Sequence, residues 1–183
     1  MAPETLTIVL ANLLEAPVHY RQALTVAGHM PECLALYRDS EDIAAVENVD
    51  VCACFRKRLE VGWNEPASEG PAPAILATLT GPANGAPVQE LNAWYDAHVI
   101  DIVSTPGIVR GARYDRAEVK QGAAAPYFAF YELDTDDVEQ VAADLAEVMA
   151  TCPSGGIPVN TDGQPWLVID GFAYFTLSSA STD

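Results

Sequence analysis

The chain has 183 residues, half of them hydrophobic and 19% charged, the profile of a soluble globular protein with one large domain or two similar halves. Nine Lys and Arg against 26 Asp and Glu leave a net charge of −17 at pH 7. Such a surface repels phosphate backbones and anionic lipid, so nucleic-acid and membrane partners are not expected.

In chain order, the opening apolar run spans Leu6 to Leu14, is broken by Asn12 and ends at Glu15. It is too short for a membrane span and lacks the flanks of a signal peptide, so the expected address is the cytoplasm. Its Leu6–Leu13 part reads as a strand, followed by a strand over 19–28 and one ending at Tyr37. The segment 49–61 (VDVCACFRKRLEV) alternates like a strand, and 62–73 (GWNEPASEGPAP) reads as a linker rich in Pro and Gly. Further strands are expected at Ala74–Thr80, Ile108–Arg116, Tyr127–Leu133 and Gly171–Leu177.

Two helices separate the later strands. The first runs from about Pro87 to Ser104, with Leu91, Trp94, Tyr95, His98 and Ile102 on one stripe. Pro87 suits its first position, and Pro106-Gly107 ends it. The second, Asp136–Ala150, is capped by Asp134 or Thr135 and stopped by Cys152-Pro153.

From residue 74 onward the order is β-α-β-β-α-β, the ferredoxin-like order of a four-stranded sheet with two helices on one face. The near-continuous YFAFY run at 127–131 says that the other sheet face is buried too. The stretch 32–43 (ECLALYRDSEDI) is patterned like 127–138 (YFAFYELDTDDV): a strand ending in Tyr, an acidic cap, a helix start. The expected fold class is therefore α+β. A degenerate ferredoxin-like half at 1–62, a linker at 63–73 and a complete half at 74–183 would together form a dimeric-α/β-barrel-type fold. The missing first helix of the N-terminal half bares part of its sheet, so a homodimer through that surface is expected.

The segment Glu90–Arg113 carries the residues of most interest. A helix with Asn92, Trp94, Tyr95, Asp96 and His98 is followed by Pro106-Gly107 and by a strand with Arg110, Arg113 and Tyr114. This pattern resembles the EthD-like families of the dimeric α/β-barrel superfamily over about residues 74–150. Val99-Ile100 departs from it, since a Pro often follows the His there. The resemblance implies a ferredoxin-like sheet closed against a second sheet around a pocket. Relatives with that architecture include cofactor-free enzymes, haem enzymes and proteins without known activity, so fold does not settle function.

His98 is the candidate general base, near-neutral at pH 7 and on the stripe facing the sheet; the alternative is a core histidine bonded to a backbone carbonyl. Tyr95 can orient His98 or a substrate oxygen, or simply pack. Arg113, the arginine that the resemblance carries, is an anion anchor or oxyanion partner, or else a surface ion pair. Arg110, three residues away on the strand, faces oppositely. Trp94 and Tyr131 are the substrate-binding candidates. His19 and His29 are assigned no chemistry.

Cys33, Cys52, Cys54 and Cys152 show no C-x-x-C spacing and read as buried thiols, so no metal is expected. Nucleotide, zinc-protease and α/β-hydrolase motifs are absent. Apart from His98 nothing supports haem, and no cofactor is expected. The reading is a cofactor-independent lyase, isomerase or cyclase working by general acid/base catalysis on a small hydrophobic cyclic or aromatic metabolite. The alternative is a non-catalytic barrel that binds a small molecule or assists another enzyme.

Overall fold

The computed structural model describes residues 4–11, 18–38, 49–62 and 70–179. Four strands come first: β1 (Thr5–Ala11), β2 (Val18–Gly28), β3 (Cys33–Arg38) and β4 (Val51–Val61). Then follow β5 (Ala74–Pro82), α1 (Val88–Val103), β6 (Ile108–Gln121), β7 (Tyr127–Leu133), α2 (Val138–Thr151) and β8 (Leu167–Ser179). These elements lie close to the expected ones. Pro87 stands at the N-cap of α1. Asp137 caps α2, its carboxylate accepting the Gln140 N–H at 3.1 Å.

The strands close into one barrel in the order β1-β3-β2-β8-β5-β7-β6-β4, with every pairing antiparallel. This corrects the expected fold class. The chain is a closed eight-stranded antiparallel β-barrel, mostly sheet, with two helices among the described residues. It is not a ferredoxin-like α+β fold of the dimeric-α/β-barrel type. The strand-helix order from Ala74 is present, but it does not mark off a separate layered unit, because β8 continues onto β2 and β6 onto β4. The helix start patterned at 32–43 falls partly on 39–48, and most of the linker on 63–69, outside the described residues.

Closure was hidden because both closing strands outrun their apolar patterns. β6 extends past Arg116 to Gln121, and its polar end pairs with Cys52–Phe55 of β4. β8 extends in both directions from the expected Gly171–Leu177, and its last residues pair with Val18 and His19. Strand pairing through backbone groups leaves no sequence periodicity when the side chains face water.

Period-2 alternation sorts side chains to two sides. Leu6, Ile8 and Phe55 from the first half meet Ile75, Tyr114, Phe128, Phe130 and Phe175 from the second inside the barrel. The rings of Phe55 and Phe128 lie 5.6 Å apart, and Tyr114 stacks on Phe130 at 6.0 Å. Leu76, Ala129, Tyr131 and Tyr174 point outward and are covered by α1 and α2. Burial on both sides makes β5 and β7 almost continuously apolar. Among the described residues, no helix is long and apolar enough to cross a membrane.

Gly111 shapes the outer face. It sits directly across from Tyr131 in the β6–β7 register, and the phenol ring leans over it. A Cβ there would lie 2.6 Å from Tyr131 Cδ1 and 2.8 Å from Val103 Cγ2. Gly111→Ala is expected to cost about 1–3 kcal/mol by overpacking, roughly 2–12 °C in melting temperature for a chain of this size. A variant that melts like the parent would show that the ring and α1 shift freely.

Candidate functional site

The outer sheet face, α1 and the α2–β8 connection flank a half-open cavity of about 250 Å³. β5 supplies Thr78 and Thr80, β7 supplies Tyr131, and Leu167, Ile169 and Phe172 of β8 form an apolar wall. Trp94, Tyr95 and His98 border it from α1, and Gly155 to Ile157 from the connection. His98 also borders a neighbouring cavity of about 200 Å³ between the helices, where Tyr174 forms part of the wall.

α1 presents two stripes. Leu91, Tyr95, Val99 and Ile102 are buried against the sheet. Trp94, His98 and Asp101, at helical spacing, grip Ser154. The Trp94 indole N–H donates to the Ser154 carbonyl at 3.1 Å, and Asp101 Oδ2 accepts the Ser154 N–H at 2.9 Å. Ser154 Oγ lies 2.9 Å from His98 Nδ1, and the imidazole stacks on Trp94 with centroids 4.6 Å apart. These contacts hold the C-P-S-G-G turn against the helix and so fix one wall of the cavity.

The network continues from His98 through Ser154 to Cys152. The Cys152 S–H faces the carbonyl oxygens of Met149 and Gly155, each 3.5 Å away, and can only donate to them. Its sulfur lies 3.6 Å from the Ser154 hydroxyl, which in turn pairs with His98 Nδ1. Burial holds the imidazole below its ordinary pKa, and Asp101 offsets this in part.

A lowered folded-state pKa has a stability consequence of definite sign. The unfolded chain takes up this proton near pH 6.5, whereas the folded chain waits for a lower pH. Stability should therefore fall as pH drops through 6.5 and level off once the folded imidazole also protonates. Urea melts across that range should show a smaller fall for His98→Gln than for the parent. Equal pH dependence in the two proteins would place His98 in water.

Tyr95 is tied down. Its hydroxyl accepts from Thr80 Oγ1 at 3.2 Å and lies 3.2 Å from Thr78 Oγ1. Tyr131 differs: it is fully buried, and its hydroxyl has no hydrogen-bond partner among the described residues. Burial, and Tyr95 beside it, push its pKa well up, while the Arg113 guanidinium acts in the opposite direction.

Of the five residues singled out from the sequence, Trp94, Tyr95, His98 and Tyr131 meet around this cavity. Arg113 does not border it. It lies beneath α1 with none of its side chain exposed, bonded to Asp96 at 2.6 Å and to Asn92 Oδ1. Its guanidinium sits over the rings of Tyr95 and Tyr127, 4.1 and 4.6 Å from their centroids. Arg110 shares the strand parity of Ala112 and Tyr114 on the barrel's inner side and pairs with Glu132 at 3.5 Å.

Donor atoms of His98, Asp101 and Cys152 lie within 4.8 Å of one another, a nitrogen-oxygen-sulfur set of the kind that zinc accepts. Each of these three residues is already engaged by Ser154 or by a backbone carbonyl. Sequence reading passed over Ser154, Asp101, Thr78 and Thr80. The two threonines, two apart in an otherwise apolar strand, are a polar pair on one face that alternation alone can reveal. Ser154 has no such signal, because its role depends on where a turn lands.

The fold and site together define an antiparallel β-barrel with a small apolar cavity between its outer face and two helices. No family model matches the chain, and no curated protein matches it. A solved structure described as "Crystal structure study of anthrone oxidase-like protein" is similar, with 9% identity and a TM-score of 0.45 over 97% of this chain and 93% of that one. A likeness this distant carries no chemistry across, and none of these findings supports the lyase or isomerase classes.

Proposed function

We propose that the protein binds a small, largely apolar cyclic or aromatic molecule in the cavity beside α1 and moves a proton on it, with His98 Nε2 as the general base. The observation that supports this reading is the pairing of His98 Nδ1 with Ser154 at the edge of an apolar cavity; in the proposed state Nδ1–H donates to Ser154 Oγ and Nε2 is the basic nitrogen. A neutral imidazole is sufficient for such a step without a cofactor. The volume of about 250 Å³ lies just below the usual range for ligand sites and suits a compound of one or two rings.

The purely binding alternative draws support from the barrel itself. Its interior is occupied by Phe55, Tyr114, Phe128, Phe130 and Phe175, so the usual ligand space of a barrel is given to core packing. The two readings share the external cavity and differ in whether His98 works. A test of the shared part is a nuclear magnetic resonance screen of small ring compounds. Binders should shift the Trp94 indole, the His98 ring and the Ile157 and Ile169 methyls together. Compounds that bind but gather elsewhere would remove the site from consideration.

A further inference from the structure

We propose that His98, Asp101 and Cys152 form a binding site for a divalent ion of the zinc class, with the Ser154 hydroxyl at the fourth corner. The site stands apart from the small-molecule reading: it needs no substrate, and apart from His98 its side chains have no part in that reading.

The donors come from two elements. His98 and Asp101 are three apart on α1 and share one face of the helix. Cys152 stands at the C-cap of α2, and Ser154, two residues on, is bonded to both α1 residues. Ligands divided between two helices have no common interval, so no C-x-x-C or H-E-x-x-H spacing announces them.

The distances suit a four-cornered site. One donor atom from each of His98, Asp101 and Cys152 lies within 4.8 Å of the other two. Ser154 Oγ is 2.9 Å from His98 Nδ1 and 3.6 Å from Cys152 Sγ. Zinc bonds of about 2.0–2.3 Å at tetrahedral angles put neighbouring donors roughly 3.3–3.6 Å apart. Two edges are already close to that figure, and the rest need side-chain movements of roughly 1 Å.

The present contacts of the donors are ones that an ion can keep or replace. Asp101 spends Oδ2 on the Ser154 N–H, and a carboxylate has a second oxygen to give. That bond then supports the ligand from outside, as ligating carboxylates commonly require. The Cys152 thiol holds only long contacts to two carbonyls, which it gives up with its proton when a metal binds. Trp94 already fixes the imidazole plane by stacking. His98 and Asp101 are partly exposed, which gives an ion its way in. One nitrogen, one carboxylate oxygen and one thiolate sulfur suit zinc, whereas magnesium and calcium take oxygen donors. A metal on Nδ1 leaves the ring proton on Nε2, so the loaded protein would lack the base of the proposed proton transfer.

The test titrates the whole protein with zinc and with cobalt(II), whose bond to a thiolate absorbs in the near ultraviolet. The parent should bind one ion, show that absorption with cobalt, and melt at a higher temperature with zinc. Cys152→Ser should lose the thiolate band. His98→Gln and Asp101→Asn should each weaken zinc by about tenfold or more, since losing even an outer support of a ligand costs that much. Asp101→Asn keeps an acceptor for the Ser154 N–H and should fold like the parent. A parent without the thiolate band, a band that survives in Cys152→Ser, or zinc affinity unchanged in both His98→Gln and Asp101→Asn overturns the proposal. No ring compound is present in these titrations, so their failure leaves the cavity reading where it stood.

Discussion

Arg113→Ala should lower the stability of the protein by about 3 kcal/mol, roughly 6–12 °C in melting temperature. Among the described residues Arg113 is the largest fully buried side chain, and its charge is matched by Asp96 at 2.6 Å. Asn92 adds a second bond, and Tyr95 and Tyr127 lie under the guanidinium. Truncation removes all of these and leaves a void beneath α1. Asp96 limits the damage: its side chain is 32% exposed and keeps Arg58 at 3.2 Å, so its charge is not stranded. The expected loss therefore sits at the low end of what breaking a buried pair costs. Hydrogen exchange should show the α1 amides opening before those of β5 and β7. Arg113→Lys should fall between the two, because an ammonium keeps the charge but not the fork reaching Asn92 and Asp96. A loss of less than about 1 kcal/mol for Arg113→Ala would show that packing alone pins the helix.

That arrangement explains what the helix pattern encodes. Asn92 and Asp96 hold Arg113 from above, while Trp94 and His98 turn to Ser154 in the α2–β8 connection. A single run of residues, N-x-W-Y-D-x-H, thus serves two contacts on adjoining stripes of one helix. The sequence shows that these residues share a helix, and it places Arg113 on the following strand. It does not say which of them meet, because a helix stripe specifies a direction and not a partner. Arg113 therefore reads equally well as an anion anchor or as a structural clamp until Asp96 is seen beside it.

The limits on fold were of the same kind. β5 and β7 announce themselves because both of their sides are apolar, one toward the barrel interior and one toward the helices. The residues that close the barrel, among them Ala117 to Gln121 at the end of β6, are exposed and mostly polar. Their backbone pairing decides between an open layered sheet and a closed barrel, and nothing in their side chains records it. The aromatic residues of the YFAFY run were legible as doubly buried, but the partner of each face was not: Phe128 and Phe130 meet Phe55 and Tyr114 inside, and Tyr131 meets Gly111 outside.

His98→Ala should reduce exchange of a bound ring compound's acidic C–H hydrogens with deuterated water by about 100-fold or more, the usual contribution of a positioned general base. The melting temperature at neutral pH should change little by comparison. His98 is half-buried, and it gives up one hydrogen bond to Ser154 and a stacking contact with Trp94. The Ser154 turn keeps its other two links to α1, through Trp94 and Asp101. For the parent, the rate should rise with pH along a limb centred below the ordinary histidine value of 6.5, because burial disfavours the protonated ring. At neutral pH the base is then already in its working form. Nitrogen chemical shifts of the ring give a second reading, independent of turnover: Nδ1 should appear protonated and Nε2 bare, and Ser154→Ala should blur that distinction by removing the acceptor. A His98→Ala variant that loses several degrees of stability yet exchanges the compound as fast as the parent would make His98 a packing residue. The base would then have to be sought elsewhere on the cavity wall.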